Sequence, residues 1–196
     1  MDRLPQVVLV RHGDTEWTKT RRHTGSTDIP LTDSGRAQAE TLRGALAGRD
    51  FARVLTSPLQ RAIETSRLAG LDDGAERRAE LTEWDYGDYE GETTADIRTT
   101  TPDWSLWRDG CPGGESAADV GARVDPVIAE LRGLEADAAI VAHGHLLRVF
   151  AARWIEQAAE LGGRLGLSTA AVSVLGWERE VPVLWLWNEA GQVQRA

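Results

Sequence analysis

Three short runs, VVLV at 7–10, ARVLT at 52–56 and AAIVA at 138–142, constrain the fold of this chain more than anything else in it. Each is largely apolar at consecutive positions and rich in β-branched residues, the pattern of a strand covered on both faces. The segments between them carry a helical period instead. In LTDSGRAQAETLRGALAG, Ala37, Leu42, Ala45 and Leu46 share one face, with Thr32 or Ser34 as N-cap. LQRAIETSRLAG follows, with Pro58 suited to the first helical turn, and Ser116 and Asp119 form a capping pair for a helix running to Leu134. A fourth helix runs from Leu146 to about Gln157. AAVSVLGWER and VPVLWLWNE read as two consecutive strands turning near Glu180, with Trp185 and Trp187 on one face. Strands alternating with helices predict an α/β fold with a largely parallel sheet. With 196 residues and no linker or repeat, a single domain over 1–196 is expected.

The bulk chemistry excludes several classes. The formal charge of −9 argues against nucleic-acid and anionic-membrane partners, so an anionic ligand must be held by local arginines. No stretch is long and apolar enough to span a bilayer, and MDRLPQ has no apolar core of an export signal. The single cysteine, Cys111, allows no internal disulfide and is expected to be inert; a cytoplasmic location follows from these features. The apolar and Trp-bearing strands near the C-terminus allow a homodimer.

In a parallel sheet, ligands gather at the carboxyl ends of the strands. Arg11 and His12 follow the first strand, Ser57 and Arg61 the second, His143 and Gly144 the third. Two guanidinium forks and two imidazoles at one edge suit a tetrahedral dianion, so phosphate is the leading ligand. LTEWDYGDYEG supplies carboxylates for proton transfer, and Glu83, after the strand-like AELT, is the best placed. Alone, His12 reads most commonly as a packed histidine, with a metal ligand, a base or a nucleophile as the alternatives. The HGH at 143–145 superficially suggests a metal, but alternate strand residues face opposite ways and no cysteine or aspartate clusters nearby, so no metal and no cofactor are expected.

The ordered segments LVRHGDTEW, HTGSTDIPLTDSG, TSPLQRAIETS, EWDYGDYEG and VAHGHLLR resemble the histidine phosphatase superfamily, the group that includes cofactor-dependent phosphoglycerate mutase. The likeness runs from about Val7 to Arg153 and is nearest to sedoheptulose-bisphosphatase-like and mutase-like bacterial acid phosphatase members. It implies a three-layer sandwich, a mostly parallel central sheet flanked by helices. It further implies His12 as nucleophile, forming a phosphohistidine, and Arg11, Arg61 and His143 as binders of the transferred group. Glu83 becomes the general acid and then base. Thr24, Gly25 and Gly144 are implied to contact phosphate, as is Thr18, where the mutases carry Asn. Arg22, Trp84, Tyr89 and Arg108 are expected to meet the substrate.

The mutases read Glu-Arg-His-Tyr-Gly at this site and follow it with an arginine-rich insertion that excludes water. Here the sequence is Glu83-Trp84-Asp85-Tyr86-Gly87 with no such insertion. The expected activity is therefore hydrolysis of a small phosphorylated metabolite, a sugar phosphate or sugar acid phosphate. Mutase activity is the runner-up, and a catalytically silent phosphate-binding protein is the third class.

Overall fold

The computed structural model of the chain describes residues 4–190; residues 1–3 of the MDRLPQ segment and 191–196 of the expected domain lie outside them. In chain order the elements are β1 (Val7–Arg11), α1 (Glu16–Thr20), α2 (Asp33–Ala45), β2 (Arg53–Thr56), α3 (Gln60–Ala69), β3 (Glu76–Arg77), α4 (Thr94–Thr100), α5 (Leu106–Asp109), α6 (Ala117–Arg132), β4 (Ala138–Ala142), α7 (Gly144–Trp154), β5 (Val172–Glu178) and β6 (Val181–Glu189). The six strands form one sheet in the order β3-β2-β4-β1-β5-β6. β3, β2, β4 and β1 run parallel, while β5 and β6 are antiparallel additions.

The apolar runs are explained by this burial. Along β1, Val7 and Leu9 enter one core with Ile140, Val124 and Phe150, whereas Val8 and Val10 enter the other with Val141, Leu42 and Ala62. Helices α6 and α7 thus cover one face and α2 and α3 the opposite one, giving the three-layer α/β arrangement. Because β1, β2 and β4 are parallel neighbours, Arg11, Ser57 and His143 leave the sheet at the same edge. No helix among the described residues is long and apolar enough to cross a membrane.

Local expectations hold where they rest on capping chemistry and fail where a distant residue supplies the cap. Thr32 accepts from the Gly35 amide at the start of α2, and Ser116 and Asp119 form a reciprocal box at α6. Pro58 lies outside the first helical turn, because Leu59 is the extended N-cap of α3 and Asp28 Oδ1 takes the Gln60 amide at 2.8 Å. AELT is a 3₁₀ turn at Ala79–Leu81, and α7 starts at Gly144 and ends at Trp154, short of Gln157. Trp185 and Trp187 do not share a face. A register shift pairs Val174 with Leu186 but Leu175 with Leu184. Trp187 consequently packs on one core, while Trp185, 55% exposed, lies over Gly176.

Two glycines set the loop after β1. A Cβ on Gly13 would meet Gly35 O at 2.3 Å, and one on Gly35 would meet Asp14 O at 2.1 Å, so the loop and the first turn of α2 touch backbone to backbone. Gly35→Ala is expected to lower stability by about 1–3 kcal/mol through overpacking. Gly44→Ala in the same helix, with nothing within 4 Å, should leave stability equal or raise it by up to about 1 kcal/mol. Urea unfolding of both variants checks the pair.

Candidate active site

His12 leaves β1 with its amide on Ala142 O and its carbonyl accepting from the Ala170 amide, which fixes the backbone between β4 and the start of β5. The ring is 4% exposed. Burial, then the charges of Arg61 and Arg11, hold its pKa well below the usual imidazole value. A neutral ring carries one proton, and Nδ1 lies 2.7 Å from the Gly13 carbonyl, an acceptor only. Nδ1 therefore carries the hydrogen and Nε2 presents its lone pair.

Beneath it, Arg61 is fully buried without a carboxylate partner among the described residues. Its NH1 donates to Thr27 O, its NH2 to Thr24 O and Gly25 O, and its Nε to His143 Nδ1 at 3.2 Å. With Nδ1 accepting, His143 donates from Nε2 to Ser57 Oγ at 2.7 Å. The imidazoles of His12 and His143 meet edge to face at 5.1 Å. The expectation that Arg61 and His143 both grip a phosphoryl group is thus narrowed: Arg61 keeps one N–H free and His143 has no unoccupied ring nitrogen.

Arg11 stands on the open side. One terminal nitrogen donates to Leu167 O, and Nε is buried without a partner. An orphaned buried N–H costs about 1–3 kcal/mol, which an anionic oxygen would recover. Gly144 makes room, since a Cβ there would meet Arg11 Cζ at 3.1 Å.

Glu83, 7% exposed, caps α7 from 62 residues away in sequence. Oε2 accepts from His145 N at 3.0 Å, and Oε1 from Leu146 N at 2.8 Å and Trp84 N at 2.9 Å. Arg123 clamps the preceding turn by donating to the carbonyls of Glu80, Thr82 and Glu83 while paired with Glu115. Three amides and this clamp fix the plane of the carboxyl.

Arg11, His12 and Glu83 edge a cavity of about 390 Å³ that also exposes Thr18, Arg22, Thr24 and Gly144, while Arg61 and His143 lie behind its lining. Thr18 Oγ1 is already engaged with Thr15 in the cap of α1. Four expected contacts are corrected. The Gly25 amide is taken by Glu90 and its carbonyl by Arg61. Trp84 is fully buried, its indole N–H on Glu115 O. Tyr89 packs edge-on against Trp104 at 5.2 Å, and Arg108 is exposed and paired with Asp109. The walls are built instead by His23, Tyr86, Arg98, Trp104, Trp107 and Arg148. Of these, His23, Tyr86 and Arg148 fall within the resembling segments HTGSTDIPLTDSG, EWDYGDYEG and VAHGHLLR. The described residues contain no group of three or more His, Cys, Asp or Glu able to hold a metal, and burial pushes the Cys111 thiol up to about 12.

The sequence profile of the histidine phosphatase superfamily, branch 1, matches residues 7–190. The chain belongs to that superfamily. An acid phosphatase of Mycobacterium tuberculosis is 42% identical over 194 residues, covering 96% of this chain and 95% of that one. Sedoheptulose 1,7-bisphosphatase of Saccharomyces cerevisiae is 36% identical over 76% of this chain and 67% of its own length. A solved open-reading-frame product of M. tuberculosis superposes with a TM-score of 0.90 at 40% identity, over 96% of this chain and 99% of its own. This histidine phosphatase therefore shares its fold with a solved relative as well as its family with named phosphatases.

The buried histidines give a testable pH dependence. His12, His143 and His145 all titrate well below the ordinary imidazole value of about 6.5, chiefly through burial. The unfolded chain takes up protons at these positions as the pH falls below about 6.5, while the folded chain does not. Their contribution to stability is complete above that value and shrinks below it, by about 1.4 kcal/mol per pH unit for each ring. Urea unfolding free energies measured from pH 7.5 to 5 should fall with a slope approaching three protons; a flat profile would contradict neutral rings.

Proposed function

We propose that this histidine phosphatase hydrolyses monoesters of small phosphorylated sugars or sugar acids through a phosphohistidine at His12. The observation that carries the reading is the neutral His12 ring, whose Nδ1–H is tied to Gly13 O and whose Nε2 lone pair faces a cavity beside the unpartnered Arg11 Nε. Nε2 attacks phosphorus in line as the ester P–O bond breaks, and the departing oxygen takes a proton from the Glu83 carboxyl. Glu83 then removes a proton from water as the water oxygen attacks phosphorus and the P–N bond breaks, which releases phosphate and restores Nε2. Arg11, with the remaining N–H of Arg61, balances charge on the equatorial oxygens. His143 acts through Arg61, which it orients.

Several features support hydrolysis over transfer. No arginine-rich insertion follows Glu83, and the cavity opens to solvent along Arg21 and Arg22, both exposed. The net charge of −9 goes with a small metabolite and against nucleic acid. A cytoplasmic location accompanies this reading, given the lone, buried and unpaired Cys111. A homodimer through β6 accompanies it too, since Val181 and Trp185 are half exposed on that edge strand; sedimentation checks it.

His12→Ala should reduce turnover to background without unfolding the protein, and Glu83→Gln should lower kcat by about 10²–10⁴-fold. Rapid quench of the wild type should trap an acid-labile, alkali-stable phosphoryl group that the His12 variant lacks. If 3-phosphoglycerate with 2,3-bisphosphoglycerate gave 2-phosphoglycerate and no free phosphate, mutase activity would replace this reading.

A further inference from the structure

The cavity is strongly basic inside an acidic chain. Its lining carries Arg11, Arg21, Arg22, Arg98 and Arg148 against one carboxylate, Glu83, which is already committed to the amides of α7. Outside the cavity eight arginines, Arg36, Arg49, Arg53, Arg78, Arg108, Arg123, Arg132 and Arg153, pair with acids. None of the five cavity arginines has an ion-pair partner among the described residues. Arg11 serves the scissile phosphoryl group, so the others are in excess of what one phosphate needs.

Arg148 is the best built of them. It lies half-buried on α7, four residues after Gly144 and hence on the same helix face, about 6 Å further along the axis. Its Nε donates to Gly162 O at 2.8 Å, and its guanidinium carbon sits 4.5 Å from the centroid of the Trp107 ring. Stacking and one hydrogen bond fix the plane, while the terminal nitrogens have no hydrogen-bond partner among the described residues and the side chain lines the cavity. Burial and the charge of Arg11 push its pKa down to about 10, which still leaves a cation at neutral pH. A desolvated cation that is held rigid and left without a counter-ion is arranged for an anion that arrives with the ligand. Arg98, also in the lining, is tethered by its Nε to Trp104 O at 3.0 Å, so the cavity holds a second fixed guanidinium.

We propose that Arg148 receives a second anionic group of the substrate, a distal phosphate or carboxylate, so that the enzyme selects doubly anionic sugar derivatives. The proposal rests on the phosphatase reading above and deepens it. Arg148 is a specificity residue for the end of the substrate that does not react.

The test separates binding from turnover. Calorimetric Kd values are measured for a hexitol 1-phosphate, the matching 1,6-bisphosphate and a 6-phosphohexonate, on His12→Ala and on His12→Ala with Arg148→Gln. The two doubly anionic ligands should bind the parent about tenfold or more tighter than the monophosphate, and Arg148→Gln should abolish that advantage while moving the monophosphate less than about threefold. Arg148→Lys should recover part of it as a point charge. Loss for the bisphosphate alone would assign the subsite to phosphate, and loss for the phosphohexonate alone to carboxylate. Equal weakening of all three ligands, or no weakening of any, would overturn the proposal. Absence of ester hydrolysis by the wild type would overturn the phosphatase reading instead, and the Kd ratios would still decide the subsite.

Discussion

The site depends on a guanidinium buried without a carboxylate. Arg61 is fully enclosed, and a bare cation there would cost several kcal/mol of desolvation. Three carbonyls and one imidazole nitrogen solvate it instead. That solution dictates much around it. The 24–27 loop must wrap inward to offer Thr24, Gly25 and Thr27 carbonyls, and His143 must present Nδ1 as acceptor, so its proton goes to Nε2 and on to Ser57. Since no carboxylate among the described residues pairs directly with Arg61, its charge reaches His12 and adds to burial in keeping that ring neutral. A carboxylate partner for Arg61 would stabilise the cation locally and forfeit that effect on the nucleophile.

Glu83 and the Arg61 system meet at the start of one helix. Glu83 is anchored to the first amides of α7, whose N-terminal end favours negative charge, while His143 at the N-cap of the same helix belongs to the Arg61 system. A single helix start therefore positions one group from each half of the chemistry. Arg123 completes the arrangement from α6 by holding the carbonyls of Glu80, Thr82 and Glu83. His12, Arg61 and Glu83 are thus referred to two rigid bodies, the sheet edge and the start of α7.

How far the sequence could be read follows from the range of the interactions involved. The apolar runs of β1 and β4 report their own burial, so the sheet and the edge shared by Arg11, His12, Ser57 and His143 are legible directly. So are caps made within three residues, such as Ser116 with Asp119. What is illegible is made by distant partners. Trp84 looks like an exposed loop aromatic until the Glu115 carbonyl, 31 residues on, takes its indole N–H. Gly25 looks free to bind phosphate until Glu90 occupies its amide. Arg148 falls at an ordinary helical position, and only the packing of α5 and the Ala159–Arg164 3₁₀ turn against α7 turns that position into a cavity wall.

The concentration of positive charge also explains why an acidic protein can handle anions. At −9 the surface repels polyanions at long range, whereas a recessed cluster of arginines acts only on what enters the cavity. The same design links stability to ligand. An orphaned Arg11 Nε is a deficit of the empty fold that an anion entering the cavity would repay. Phosphate, as the product, benefits from that repayment as much as the substrate does, so the arginines that assemble the site also favour retention of its product.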